Sequence, residues 1–177
     1  MNTEKLFENI VAVIEEGQLK LGYREETLRL YYPLGSLNLF LGTQHDAAGM
    51  MDALYAFAQE YADRLGDIAI SRKGKHFCIA VPPRGAAYVN AQTDKDGFLA
   101  RFIAMIAQHG TKIQDVIALF EAYSSCVCVK ALHNGEFDYL IRFDDGKPDA
   151  FYYCITDEDC HLTYHRFTRE DYETFGF

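Results

Sequence analysis

Apolar residues recur every three to four positions through much of the first two-thirds of the chain, the spacing of one helix face. Asp46 is well placed to cap one of these helices, and Thr111 with Gln114 three residues later matches a capping box. Glycine follows the first three predicted helices, where it commonly ends a helix. The pattern predicts helices over residues 3–21, 33–41, 47–65, 98–108 and 112–123.

Two other stretches of this region alternate between apolar and polar residues, as a half-buried strand does. Residues 28–32 predict a short strand, and residues 67–81 predict a hairpin with its turn at Lys73-Gly74. Pro82-Pro83 ends the hairpin, and residues 85–92 fit either a helical turn or a loop. For residues 82–97 as a whole, a lid, a helix and a loop remain open.

After residue 123 the apolar period changes from 3.6 to 2, which predicts strands. Asn134-Gly135 is a strong hairpin signal between the first two of these strands, and acidic turns join the later ones. Thr168 can cap a last short helix that ends at Phe175. The pattern predicts an antiparallel meander with strands over residues 126–132, 137–143, 151–156 and 162–167.

We therefore predict an α+β protein whose first two-thirds are helical with a β-hairpin and whose C-terminal part is an antiparallel β-meander. Residues 1–177 are expected to form a single compact domain, with a possible sub-division into residues 1–92 and 93–177. A helix pair followed by a hairpin occurs in residues 33–81 and again in residues 98–143. This is the order of a winged helix, although α+β domains without any DNA-binding role share it.

Composition places the chain among globular proteins, because 49% of its 177 residues are apolar and 24% are charged. Disordered chains, collagen-like fibres and disulfide scaffolds are excluded by these values. The formal net charge is −9, of which residues 144–177 contribute −6. Such a surface repels nucleic-acid phosphate except at a local basic patch. The longest uncharged run, residues 30–45, is too short and too polar to predict a membrane span.

One basic cluster lies at the tip of the first predicted hairpin, within residues 71–76. Arg72, Lys73 and Lys75 are its candidate binding residues, since a wing would contact phosphate or another anion at this place. Three cations would give only a weak contact that salt screens. Turn residues are also exposed for ordinary reasons, and Lys-Gly is common in turns.

The second candidate site is rich in cysteine and histidine and lies in the last predicted hairpin. Cys154, Cys160, His161 and His165 are zinc-ligand types, but their spacing is not a standard one. A thiol nucleophile with a histidine base is the related enzymatic reading. Small buried cysteines and face-lining histidines are the structural alternative. No P-loop, dinucleotide fingerprint, nucleophile elbow or His-Glu-x-x-His motif is present, and we predict no cofactor.

The cysteine count and the first residues indicate the compartment. Five cysteines cannot all pair, and the first twenty residues contain four glutamates, which is unlike an export signal. Free thiols in a reducing cytoplasm are the simplest explanation.

Three stretches together resemble an uncharacterised domain-of-unknown-function family of Gram-positive anaerobic bacteria. They are residues 28–38 (LRLYYPLGSLN), residues 134–141 (NGEFDYLI) and the C-terminal segment with residues 164–167 (YHRF), 170–172 (EDY) and 175–177 (FGF). The resemblance covers nearly the whole chain and implies a bacterial cytoplasmic protein. It implies no activity, cofactor or catalytic residue.

The sequence thus favours a non-catalytic cytoplasmic binding or protein-interaction domain. A protein partner or self-association is expected before nucleic acid, and no membrane is expected. The alternative is a metal-binding protein or thiol-dependent enzyme centred on the C-terminal hairpin.

Overall fold

A computed structural model describes residues 2–132 and 134–175 of the chain. The chain divides into two compact units, which are residues 1–93 and residues 94–177. The predicted α+β class is confirmed, since the described residues contain both helices and two antiparallel sheets. The single domain over residues 1–177 stays a prediction.

The first unit contains five helices and a three-stranded antiparallel sheet of order β1-β3-β2. The second strand along the chain therefore lies at one edge, and the first strand pairs with the third. The elements are α1 (Thr3–Leu21), β1 (Leu28–Pro33), α2 (Leu34–Leu41), α3 (Ala47–Glu60), α4 (Ala62–Leu65), β2 (Ala69–Lys73), β3 (His76–Val81) and α5 (Pro83–Gln92).

The core of this unit follows the apolar periodicity of its sequence. In α1, Leu6, Ile10 and Ile14 are spaced by four residues and are buried on one face. In β3, Phe77 and Ile79 alternate onto the sheet face that meets the same core. Each such side chain contributes about 1.5–3 kcal/mol when fully buried, which is the main reason that these elements form.

The turn between α2 and α3 is organised by a single side chain, Asn38. Its amide nitrogen donates to the carbonyl of His45 at 2.9 Å, and its oxygen accepts from the His45 backbone N–H at 2.8 Å. The hydroxyl of Thr43 donates to the same oxygen at 2.9 Å. Gly42 adopts a left-handed conformation (φ 64°) that ends α2. The predicted cap Asp46 is confirmed, since its side chain accepts from the N–H of Gly49 at 2.8 Å.

The helix predicted over residues 47–65 is wrong in one respect, because it is two helices. The backbone leaves helical values at Tyr61 (φ −102°, ψ 11°), between α3 and α4. The Tyr61 ring stacks on Phe7 of α1 with centroids 4.5 Å apart. Both helices keep their apolar residues toward the core, so the hydrophobic pattern carries no signal for the break.

Residues 85–92, which fitted either a helical turn or a loop, belong to the helix α5 (Pro83–Gln92). Pro82 is its N-cap and Pro83 occupies the first turn, where a missing N–H costs nothing. Gly85 lets this helix approach α4 closely, because a Cβ there would lie 2.5 Å from the carbonyl oxygen of Leu65.

The second unit contains three helices and a four-stranded sheet of order β4-β5-β6-β7, all neighbours antiparallel. The predicted meander is confirmed, as is the last short helix. The elements are α6 (Phe98–Ile106), α7 (Ile113–Tyr123), β4 (Val127–Ala131), β5 (Tyr139–Phe143), β6 (Tyr152–Asp157), β7 (Leu162–Phe167) and α8 (Arg169–Phe175).

Aromatic rings form the core between the helices and one face of this sheet. Phe102 of α6 and Phe120 of α7 meet Tyr153 of β6 with centroids 4.7 and 5.2 Å apart. The edge-to-face geometry adds to the apolar burial of each ring. The opposite face carries Leu140 and Cys154, against which Tyr172 of α8 packs.

One local prediction in this unit is wrong and one is confirmed. The capping box falls one residue later than expected: the N-cap of α7 is Lys112, whose N–H donates to Asp115 at 2.9 Å, while the Thr111 hydroxyl donates to the carbonyl of Met105. The hairpin predicted at Asn134-Gly135 is confirmed, since β4 and β5 pair antiparallel, but its loop is longer than two residues because Ala131 pairs with Tyr139. In that loop Asn134 accepts from the N–H groups of residues 136 and 137, a local bond that competes with a tight turn.

Candidate functional site

The basic cluster lies at the tip of the β2–β3 hairpin, as the sequence suggests. Lys73 pairs with His76, which leaves Gly74 (φ 63°) and Lys75 as the two-residue turn. Residues 71–76 are all exposed. Arg72 is held by its own hairpin: its Nε donates to the carbonyl of Gly74 at 2.8 Å, and its guanidinium lies 5.8 Å from the ring centroid of Phe77. Lys73 and Lys75 thus extend the positive charge of the tip into solvent.

A second exposed surface, on α3, was not singled out from the sequence. Asp52, Tyr55 and Gln59 are exposed at helical spacing, and the Tyr55 side chain is 51% exposed. No lysine or arginine occurs in Ala47–Glu60. At the end of the helix, Glu60 accepts from the hydroxyl of Thr3 at 3.1 Å. A large aromatic ring between acidic and amide groups is suited to contact with protein, since tyrosine combines apolar area with a polar tip.

The four zinc-type residues of the last hairpin occupy different environments. Cys154 is fully buried and lies opposite His165, which is exposed, in the β6–β7 ladder. Cys160 is exposed in the turn, where its carbonyl accepts from the N–H of Gly110 at 3.2 Å. The Nε2 of His161 lies 2.9 Å from the carboxylate of Glu158. Throughout residues 2–132 and 134–175, no group of three or more His, Cys, Asp and Glu side chains is arranged to hold a metal ion.

The cysteine thiols also differ in their exposure to solvent, and their reactivity depends on it. Burial raises the pKa of Cys154 to about 12, so its thiolate is suppressed at neutral pH. Cys126 precedes β4 and is exposed, whereas Cys128 is half-buried opposite Arg142. The structure therefore lends no support to the metal-binding or thiol-dependent alternative.

A buried charged network in the second unit was also missed from the sequence. Arg166, whose side chain is 5% exposed, lies 3.5 Å from Asp149, and the hydroxyl of Tyr153 donates to the same carboxylate at 2.8 Å. The guanidinium also stands 4.0 Å from the ring centroid of Phe151. Burial, followed by the negative charge of Asp149, raises the pKa of Tyr153 well above its usual value. The neutral phenol of Tyr153 and the paired guanidinium of Arg166 both contact Asp149, and they thereby connect β6, β7 and the loop that precedes β6. We call these three residues the clamp, and its role is structural.

A groove of about 250 Å³ lies between the C-terminal half of α1 and the first half of β1. Its lining includes the apolar residues Val13, Leu21, Leu28 and Leu30. Leu21 is 74% exposed, which is unusual for so large an apolar side chain beside a cavity. At the groove's wall, Nε2 of Gln18 donates to the carbonyl of Ala86 at 2.8 Å and ties α1 to α5.

None of the helices among the described residues combines the length and the apolarity that a transmembrane segment needs.

Comparison with known proteins gives one result. No curated protein and no solved structure matches the chain. The model of one family, described as "Domain of unknown function, E. rectale Gene description (DUF3877)", matches residues 3–176 and thus nearly the whole sequence. The resemblance stated from the sequence is confirmed, and the chain belongs to this family of unknown function.

Proposed function

We propose that residues 1–93 form a winged-helix-type module that binds another protein and catalyses no reaction. The order of elements supports this interpretation: a helix, a strand, the helices α2 and α3 joined by a short turn, the one-turn helix α4, and then a hairpin. The pairing supports it further, because β1 lies beside β3, the second strand of that hairpin. In such a module, α3 is the helix presented to a partner and the β2–β3 hairpin is the wing.

The exposed face of α3 carries the choice of partner. A helix that enters a DNA groove neutralises phosphate with lysine and arginine, and each contact adds to the affinity. The α3 face instead presents Asp52, Tyr55 and Gln59, and Ala47–Glu60 contains no cation at all. Close approach of this face to a polyanion would be repulsive, so a protein surface is the better match.

The wing fits the same proposal. Lys73 and Lys75 are exposed at its tip, and Arg72 adds its charge nearby. An acidic helix face beside a cationic wing would orient a partner that carries charges of both signs. The winged-helix interpretation is limited to the first unit, since among the described residues of the second unit no strand precedes the helix pair α6–α7.

We also propose that the protein works in the cytoplasm. All five cysteines are free, and two of them, Cys126 and Cys160, are exposed. Exposed unpaired thiols are typical of proteins kept in a reducing compartment.

The first experiment separates a protein partner from nucleic acid. Fluorescence anisotropy of a labelled random-sequence duplex is measured with the wild type and with the double variant Lys73→Glu and Lys75→Glu. We expect at most weak binding at low salt, lost at physiological ionic strength and absent in the variant. Tight binding that persists at physiological ionic strength would overturn the assignment to a protein partner.

The second experiment looks for the partner on the proposed surface. A photo-crosslinking amino acid is incorporated in place of Tyr55 in the cells that express the protein. The matched control position is Glu121, an exposed residue of α7. A discrete protein adduct is expected at position 55, lost when Lys73 and Lys75 are changed to glutamate, and absent at position 121. No adduct at position 55, or the same adducts at both positions, would contradict the proposal.

A further inference from the structure

We propose that two copies of this chain associate through β1, which joins the three-stranded sheets of both copies edge to edge. The surface differs from α3 and from the wing, so this inference stands apart from the proposed function. A self-pairing edge is the simplest form of strand addition, in which main-chain hydrogen bonds extend a sheet into a partner.

The two edges of this sheet differ in how they are protected. The β2 edge contains Arg72 and Lys73, and lysine or arginine on an edge strand opposes pairing with another chain. The β1 edge reads Leu-Arg-Leu-Tyr-Tyr-Pro and carries one charge, that of Arg29. A long and largely apolar edge strand is a surface that proteins normally cover.

Of the six large apolar side chains that remain exposed among the described residues of the first unit, four lie on α1, on β1 or in the loop between them. Large apolar side chains that remain exposed include Val13 and Leu21 of α1, Tyr23 of the following loop and Tyr31 of β1, the last at 59%. The groove between α1 and β1 opens beside Leu28 and Leu30, whose side chains point, with that of Tyr32, to the core side of the strand. A second strand along this edge would cover that side of the groove.

The strand is complementary to itself in one antiparallel register. When two copies are related by a two-fold axis normal to the sheet, centring on Arg29 would oppose two like charges, which is destabilising. Centring on Leu30 instead places Arg29 of each copy directly opposite the partner's Tyr31. Both side chains are exposed and lie on the same sheet face, so each pair can make a cation–π contact. Pro33, which has no N–H, then falls just outside the paired core of the strand.

Charge does not oppose this contact. Residues 1–93 contain nine Lys and Arg and eleven Asp and Glu, a net charge of −2 against −9 for the whole chain. Most of the repulsion between two copies therefore originates from the second unit, whose charges are screened over roughly 8–10 Å at physiological salt.

The test is sedimentation velocity of the full chain from micromolar to millimolar concentration. We expect a concentration-dependent species of twice 20.2 kDa. Tyr31→Lys sets a lysine opposite the partner's Arg29 and should weaken the dimer about tenfold or more. Adding Arg29→Glu to Tyr31→Lys restores opposite charges in the same register and should strengthen the dimer again. Circular dichroism confirms that each variant is folded.

The matched control is Val129→Lys, which changes an exposed apolar residue of β4 in the second unit and should leave self-association unchanged. Three results would overturn the proposal: a wild type that stays monomeric over the whole range, equal weakening by Val129→Lys and Tyr31→Lys, or a double variant no tighter than Tyr31→Lys alone. A monomeric wild type would leave the crosslinking result at position 55 unaffected, so the two proposals fail separately.

Discussion

Replacing Asn38 by alanine should release the turn that sets α3 against α2. The Asn38 side chain makes three hydrogen bonds, two with the backbone of His45 and one with the hydroxyl of Thr43, all between 2.8 and 2.9 Å. Each contributes about 0.5–1.5 kcal/mol net, so their joint loss should cost the first unit about 2–3 kcal/mol. The buried residues of α3 are retained, and the perturbation is therefore confined to the turn.

The appropriate assay is native-state hydrogen exchange read by mass spectrometry. The chain contains two units, so one unfolding curve for the whole molecule would mix their stabilities. Exchange reports each segment by itself. In Asn38→Ala, protection should fall roughly 30- to 150-fold across α2 and α3, which is the same free energy expressed as a rate ratio. Peptides from α6 and α7 should be unchanged and serve as the internal reference.

Asn38→Asp is the matched variant, because it retains both acceptor bonds and replaces the donor to the His45 carbonyl by a carboxylate oxygen, which repels that carbonyl. Its α2 and α3 peptides should therefore also exchange faster than those of the wild type. If alanine costs less than about 0.5 kcal/mol, or if aspartate leaves the exchange unchanged, these bonds do not hold the turn.

Three further outcomes are expected. Gly85→Ala should destabilise the first unit by several kcal/mol, measured by the same exchange experiment, because the new Cβ would lie 2.5 Å from a backbone oxygen that cannot move without displacing α4. The raised pKa of Tyr153 means that the folded chain keeps a proton that the unfolded chain loses above pH 10. The contribution of Tyr153 to the free energy of unfolding is therefore complete below pH 10 and falls by about 1.4 kcal/mol per pH unit above it. Alkaline unfolding of Tyr153→Phe should lack this part of the slope, and an unchanged slope would refute the assignment. In thiol labelling of the native protein, Cys126 and Cys160 should react first, while Cys154, with a pKa of about 12, should react only after denaturation.

The period of apolar residues predicted the helices and strands correctly where one face of the element packs against one core. The change from helical to alternating spacing after residue 123 marks the start of the meander, whose strands β5 and β6 follow it and are buried on both faces. Pattern alone fails where two structures bury the same residues. The break at Tyr61 is such a case, because α3 and α4 keep the apolar face of one continuous helix and differ only in the backbone at one residue.

Turn chemistry was less predictable because local side-chain bonds compete with standard turns. Asn134-Gly135 has the residues of a two-residue turn, yet Asn134 accepts from two later N–H groups and holds a longer loop. Thr111 has the residue type of an N-cap, but its hydroxyl donates backward to Met105. In both places the outcome depends on which acceptor lies nearest in three dimensions, and residue spacing does not report that.

The candidate surfaces divide in the same way. The exposed basic tip of the β2–β3 hairpin was predictable because charge and turn residues are adjacent in the sequence, at Lys73 and Lys75. The clamp of Asp149, Tyr153 and Arg166 was not, because its members come from a loop and two strands that only the folded sheet aligns. Of the four cysteine and histidine residues of the last hairpin, the ladder places only Cys154 and His165 opposite each other, whereas Cys160 and His161 lie exposed in the turn before β7.

The order of elements in the first unit and its choice of partner are separate properties. In the proposed winged-helix module, α3 and the β2–β3 hairpin would be presented together, and this would hold for a DNA-binding protein as well. The side chains on α3 would then decide what can approach. With Asp52 and Glu60 on the helix and Lys73 and Lys75 at the hairpin tip, a uniform polyanion would be attracted by one element and repelled by the other. A protein surface that carries charges of both signs would satisfy both elements at once, which is why we propose a protein partner for this module.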